Sequence, residues 1–503
     1  MSALGLLLLV LALVLMMTTG WATYAVLLAV STLGAVMGLA LGAFDTGVLR
    51  TLPERMVGLL EHDLLQALVL YAVVGALLNH LALVNGLYGG LSKTLARLTG
   101  RRAASEMAGL GVGMLMAPMN GSVGASLVTL SRTAGRAWAA EGLPPARRAT
   151  LVAVASTLGV IVPPSLVLLL LGDAMLRAHT EGLTLARQLS LPAAQAGTRI
   201  INTQDVLQAA LAPGALLLLA WLAVTWWVAR RHDRSAPPST PTATAAPSAL
   251  TRGEGWTLCI VPAFIIALLA LVTAGRIRAV EAAATAGVAL LIWGLVSRQL
   301  TRPVMARVLD DALALTGALF ALLVAAVTFS LLLRAFGTDV LVAEWMRTLQ
   351  AQPALAMAVV LLVLLASAFV LDAFELIFLV VPIVMPPLLA LVGDAAWVAA
   401  LALLVLQAGF LLPPLGYALV LAMGQAHPRP PLRDMVRALA PYLLSLASVV
   451  ALVLAVPATT HWLRTNPATV PEMTIDGDDL DALMREMSAP AGDAPDAAEA
   501  PSQ

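Results

Sequence analysis

Thr157-Leu158-Gly159-Val160-Ile161-Val162-Pro163-Pro164 and Gln407-Ala408-Gly409-Phe410-Leu411-Leu412-Pro413-Pro414 are the two stretches whose reading decides the fold. Shifting the sequence by 250 positions lays the first on the second, and the same shift lays Ser122 on Asp372. Each stretch sets a glycine and a Pro-Pro pair inside an apolar segment. Proline removes a backbone donor and breaks the i to i−4 ladder, so both segments are read as membrane helices interrupted midway. Carbonyls freed at such breaks can hold a cation. Gly/Pro-interrupted segments at matching places in two halves point to the central site of a transporter built from a repeat. For one isolated proline a tolerated kink is the simpler account; two matched Pro-Pro breaks reverse that preference.

The surrounding composition agrees. Of 503 residues, 60% are hydrophobic and 12% charged, and mean hydropathy is +0.91. A soluble domain has roughly 45–50% apolar and about 25% charged residues. Net charge is zero and no basic block interleaves with aromatics, which excludes a nucleic-acid partner. The single cysteine, Cys259, excludes an internal disulfide and a cysteine metal cluster. There is no Walker loop, no His-Glu-x-x-His pattern and no nucleophile elbow, so the chain is not read as an enzyme.

Spans of about 20 mostly apolar residues fit near 2–19, 22–42, 64–82, 149–171, 206–230, 256–274, 279–297, 308–334, 396–424 and 436–457. That predicts an all-α polytopic membrane protein with ten crossings. Two further apolar stretches, 105–140 and 353–391, are too long for one span and are broken at Pro118 to Ser122 and at Phe369 to Asp372. Both are read as re-entrant hairpins. The loops 83–104, 131–148, 230–255, 298–307 and 425–437 hold 18 of the 29 Lys and Arg residues, which makes them cytoplasmic by the positive-inside rule. The first hairpin then enters from the cytoplasm and the second from outside, with both termini outside. The two units have opposite orientation, an inverted-topology repeat.

The organisation expected is scaffold spans over 1–63, a first repeat over 64–230, a linker over 231–255, scaffold spans over 256–307, a second repeat over 308–462 and an acidic tail over 463–503. The linker's Ser/Pro/Thr/Ala composition predicts flexibility. The tail's composition cannot bury a core, and only a short helix over 477–487 is expected there.

Ionisable groups deep in a bilayer are costly, which makes Asp372 and Glu375 candidates for cation or substrate binding. The competing reading of Asp372 is an N-cap of the second hairpin helix. Asn120, Gly121, Ser122, Gly124 and Ser126 form a small polar tip that permits close backbone approach and offers oxygen ligands. Ser156, Thr157 and Gln407 stand just before the two breaks, beside Gly159 and Gly409, where side-chain oxygens complete an ion shell. Asn79, His80 and Asp173 lie at span ends and are read as structural. Arg334 ends a span and is read as snorkelling.

At these residues the sequence resembles the large membrane subunit of the tripartite ATP-independent periplasmic (TRAP) transporters, in the ion-transporter superfamily. The likeness covers 1–462, with Gly121 to Ser126, Ser156 to Ser165, Arg199 to Asp205, Phe369 to Glu375 and Gln407 to Ala418 carrying it. The Arg199 to Asp205 element and the Asp372/Glu375 tip resemble the mannitol/chloroaromatic-type subgroup. The resemblance implies an elevator-type transporter in the bacterial inner (cytoplasmic) membrane. It implies three further things: Na+ as the coupling ion with no other cofactor, a small four-helix membrane subunit and a periplasmic binding protein as partners, and a small organic acid as substrate. Na+ would sit at Ser122, Ser156, Asp372 and Gln407. Val405 and Ala408-Gly409 depart from the family pattern, as do Arg101, Arg102 and Glu106 on the approach to the first hairpin. Two alternatives stay open from the residues: a related permease working without a binding protein, and a membrane enzyme or scaffold whose helix breaks are structural.

Overall fold

The computed structural model describes residues 2–60, 63–116, 122–163, 165–189, 200–235 and 252–462. Every regular element among them is helical. The first half runs α1 (Ser2–Thr19), α2 (Thr23–Ala40), α3 (Thr46–Arg50), α4 (Leu52–Leu60), α5 (Asp63–His80), α6 (Leu83–Thr99), α7 (Arg101–Met116), α8 (Val123–Arg132), α9 (Ala134–Ala140), α10 (Pro145–Thr157), α11 (Leu166–Leu189) and α12 (Thr203–Ser235). The second runs α13 (Arg252–Thr273), α14 (Ala279–Val296), α15 (Arg302–Ala335), α16 (Thr338–Thr348), α17 (Pro353–Ser367), α18 (Ala373–Leu379), α19 (Val381–Val392), α20 (Ala395–Leu411), α21 (Tyr417–Gln425) and α22 (Leu432–Ala455).

The repeat is visible in where helices start. Ser2 and Arg252, Val123 and Ala373, and Pro145 and Ala395 each open a helix, and each pair is separated by the 250 positions that separate Thr157 from Gln407. Local chemistry fixes these starts differently in the two halves. At α10, Pro145 occupies the first turn, where its missing N–H costs nothing. At α20 the Asp394 carboxylate accepts the Trp397 amide at 3.2 Å. Both helices are central: α10 is buried from Ala149 to Thr157 and α20 from Val398 to Gln407.

Both interruptions are present. After α10 the chain tightens into a 3₁₀ turn, Leu158–Val160, and helix resumes only at Leu166. After α20 it is extended at Leu412, and α21 starts at Tyr417. Pro163, Pro413 and Pro414 lie in the gaps; Pro164 lies outside the described residues.

Among the described residues, five helices are long and apolar enough to cross a membrane, or seven if each bent pair is one span. The ten crossings expected exceed this number because Ala3–Thr19 and Leu258–Thr273 are shorter apolar helices and because 149–171 and 396–424 are each divided by a break. Several expected loops are helical. Segment 83–104 contains α6, which bends 66° away from α5 and buries Leu83, Val84, Leu87 and Gly90 along one face. That spacing is helical and amphipathic, a pattern outweighed in the sequence reading by four basic residues. Helix α12 runs to Ser235 and α13 starts at Arg252, so helix claims both ends of the expected linker. The remainder of the linker, the acidic tail with its helix over 477–487, Arg199, and residues 117–121 with Asn120 and Gly121 lie outside the described residues.

Candidate functional site

The two central helices meet at the residues the repeat pairs. Gln407 Nε2 donates to Thr157 Oγ1 at 2.9 Å; both side chains are fully buried. Thr157 Oγ1 in turn donates to the Val154 carbonyl at 3.0 Å, and Ser156 Oγ donates to Ala153 O at 2.9 Å. Among the described residues Gln407 Oε1 is buried with no hydrogen-bond partner. An orphaned buried carbonyl oxygen carries a desolvation cost of about 1–3 kcal/mol, which a cation ligated there would remove. The donor set of amide oxygen and hydroxyls suits a hard monovalent cation.

Asp372 caps α18. Its Oδ1 accepts the amides of Phe374 at 2.8 Å and Glu375 at 3.1 Å, and Glu375 Oε2 accepts the Asp372 amide at 3.0 Å. This reciprocal capping box is the structural role foreseen for Asp372. Glu375 also reaches out of its own segment: Thr23 Oγ1, in the first turn of α2, donates to its Oε1. The contact joins the hairpin-like segment α17–α18–α19 to the N-terminal spans.

Ser122 stands just before α8 without a side-chain cap, and its carbonyl accepts both the amide and the hydroxyl of Ser126, at 3.1 and 3.0 Å. A Cβ added to Gly124 would lie 2.8 Å from the Tyr417 hydroxyl, so the first tip abuts the start of α21, beyond the second break. At Gly409 an added Cβ would lie 2.3 Å from Ala368 Cβ. Close packing of α20 on the end of α17 accounts for that glycine.

Two cavities flank this centre. One, of about 460 Å³, lies among α4, α5, α11, α15, α18 and α19; the other, of about 580 Å³, among α5, α6, α8, α9 and α15. They are repeat-equivalent. Leu315, Ala326, Ser330, Arg334, Phe378 and Pro382 have counterparts 250 positions earlier in Leu65, Ala76, His80, Val84, Val128 and Arg132, and each pair is split between the two linings.

These walls hold residues that the sequence reading passed over or took as ordinary. Arg334, at the end of α15, pairs through Nη2 with both oxygens of Glu181, at 2.8 and 3.1 Å. Asp173 pairs with Arg177 at 2.9 Å. In the second cavity His80 Nε2 lies 2.8 Å from Asp311 Oδ2, and Thr129 Oγ1 donates to Asn79 Oδ1 at 2.5 Å. The missed signal was the run Asp173, Arg177, Glu181, three charges on one helical face in steps of four.

With this geometry stated, the chain can be set beside known proteins. Residues 6–459 match the family described as tripartite ATP-independent periplasmic transporter, DctM component. The chain is 26% identical over 442 residues to the C4-dicarboxylate TRAP transporter large permease protein DctM of Pseudomonas aeruginosa, covering 86% of this chain and 94% of that protein. It is 23% identical over 434 residues to the 2,3-diketo-L-gulonate TRAP transporter large permease protein YiaN of Escherichia coli, covering 84% and 91%. The crystal structure of the Alcanivorax borkumensis YdaH transporter superposes with a TM-score of 0.58 at 17% identity, covering 83% of this chain and 90% of that one; at that identity the likeness speaks to fold alone. These relatives are permeases, not enzymes. Interrupted helices repeated in two halves, several apolar helices and a family match over residues 6–459 make this chain a member of the TRAP transporter large-permease (DctM) family.

Proposed function

We propose that this permease imports a small organic acid across the bacterial inner membrane with sodium ions, working with a small four-helix membrane subunit and a periplasmic binding protein. The relatives named for C4-dicarboxylates and for 2,3-diketo-L-gulonate support the substrate class. The observation that carries the sodium reading is the buried Gln407 Oε1 with no partner among the described residues. Asn120, Ser122, Ser156, Thr157, Asp372 and Gln407 are the ligand candidates, with Glu375 positioning Asp372 through the capping box, and Gly121, Gly124 and Gly159 allowing close approach.

We read 105–140 and 353–391 as oppositely inserted re-entrant hairpins, with ten crossings around them and the division into scaffold and repeats given above. On the orientation taken from loop charge, the first of the two equivalent cavities serves as the outer approach and the second as the inner approach to one site. In an elevator movement the hairpins slide against the scaffold, and the Thr23–Glu375 contact is one that this sliding would break. The test is uptake of a radiolabelled C4-dicarboxylate into proteoliposomes containing both membrane subunits, with the binding protein added outside. Uptake that needs an inward Na+ gradient and the binding protein supports the reading. Equal uptake in K+ removes sodium, and uptake without the binding protein favours a stand-alone permease.

A further inference from the structure

A third cavity, of about 410 Å³, lies where α8 and α9 meet α10 and the chain leaving α21. Arg132, Arg136 and Arg148 line it, together with Gln425 and His427, and among the described residues no acidic one does. Neither Arg132 nor Arg136 has a carboxylate partner among the described residues. Arg148 spends Nη2 on the His427 carbonyl at 3.1 Å, and its Nε is buried with no partner. Two features here are unfavourable as they stand. Like charges four residues apart repel, and an unsatisfied guanidinium N–H in a buried position carries a desolvation cost. One ligand relieves both: an oxyanion, whose oxygens match the planar forks of guanidinium groups.

We propose that this cavity is a binding site for a doubly charged oxyanion of the phosphate or dicarboxylate type on the cytoplasmic face, separate from the sodium site. The loops 131–148 and 425–437 that frame it are the ones the charge bias places inside. Arg132 and Arg136 also line the inner cavity, so occupancy of this site alters the charge presented to the transport pathway. The ligand's source is either a soluble anion or a lipid headgroup.

The test uses the full chain purified in detergent, in potassium salts throughout so that sodium coupling plays no part. Inorganic phosphate is titrated at constant ionic strength against chloride, and the melting midpoint is followed in wild type, in Arg132→Gln/Arg136→Gln and in Arg136→Lys. A saturable rise with phosphate, absent with chloride, lost in the double variant and weakened in Arg136→Lys is the expected result. Retention of phosphatidylglycerol over phosphatidylcholine is read in parallel by mass spectrometry of the intact protein. If wild type retains phosphatidylglycerol and the double variant does not, the site is a lipid headgroup site. A phosphate response without such retention assigns it to a solute. Equal responses to phosphate and chloride with no lipid preference, or a phosphate response unchanged in the double variant, overturn the proposal. Arg132 and Arg136 are exposed, so their replacement leaves the fold intact.

Discussion

Gln407 Nε2 and Thr157 Oγ1 lie 2.9 Å apart, so two positions made equivalent by the internal repeat are in direct contact. Equivalent positions touch only close to the axis that relates the two copies, which places this pair at the centre of the permease. If Gln407 Oε1 is a sodium ligand, Na+ must stabilise the protein through it. A ligand at about 100 times its dissociation constant contributes roughly 2.7 kcal/mol. We expect a rise in melting temperature with Na+ over K+ in wild type and its loss in Gln407→Leu. Thr157→Val strands the amide donor and lowers stability by about 1–3 kcal/mol. A sodium response intact in Gln407→Leu removes this residue from the ion site.

Asp372 has two separable roles, a cap and an ion ligand. Asparagine caps a helix about as well as aspartate but carries no charge, whereas alanine does neither. Asp372→Asn should keep wild-type thermal stability in K+ and lose the Na+-dependent rise; Asp372→Ala should lose about 1 kcal/mol as well. Equal sodium responses in wild type and Asp372→Asn would leave the residue a cap alone.

Gly409 is required by packing. A Cβ there meets Ala368 Cβ at 2.3 Å, and overpacking of this kind costs about 1–3 kcal/mol. Gly409→Ala should lower the melting temperature, and adding Ala368→Gly should recover part of the loss. No recovery would mean that the glycine answers to something other than this contact.

Glu106 and Arg147 form a buried ion pair, with Arg147 Nε 3.0 Å from Glu106 Oε2 and side chains only 2% and 6% exposed. Removing one partner strands the other charge, at a cost of about 3–5 kcal/mol, while replacing both with apolar residues is often close to neutral. Arg147→Met should be poorly folded by size-exclusion chromatography, and Glu106→Met/Arg147→Met should be better folded than either single variant.

The two cavities make a prediction about sidedness. Cys259 is the chain's one cysteine, and Cys259→Ser gives a clean background. Ser330→Cys, in the first cavity, should react with a membrane-impermeant maleimide added to intact cells. Ala314→Cys, in the second, should react only after the membrane is opened. The reverse pattern would invert the orientation taken from the loop charges.

Much of this fold was legible because its strongest signals are local and repeated. Pro163, Pro413 and Pro414 marked real interruptions because each follows a glycine in an otherwise apolar segment, whereas the pair Pro386-Pro387 sits inside α19 without ending it. Asp372 was legible as a cap from its place before Ala-Phe-Glu. Segment 83–104 was misread as a loop because Lys93, Arg97, Arg101 and Arg102 outweighed the buried face of α6. The cavity walls were hidden for a different reason. Arg334 and Glu181 are far apart in the chain, and nothing local in either says that they pair. The Thr157–Gln407 contact was half legible: the shift aligned the residues, but alignment alone does not bring equivalent positions together.

The cavities also record how the two halves have diverged. Some of their apolar wall residues correspond, as Leu65 with Leu315 and Ala76 with Ala326, yet the place of Arg132 is taken by Pro382 in the other copy and that of Arg334 by Val84. The apolar residues named are shared between the two copies and the charged ones are not. Both linings nonetheless carry a guanidinium surplus, Arg55, Arg177 and Arg334 over Asp173 and Glu181 in one, and Arg132 and Arg136 over Asp311 in the other. Among the described residues, an anion therefore meets the same sign of charge in either cavity.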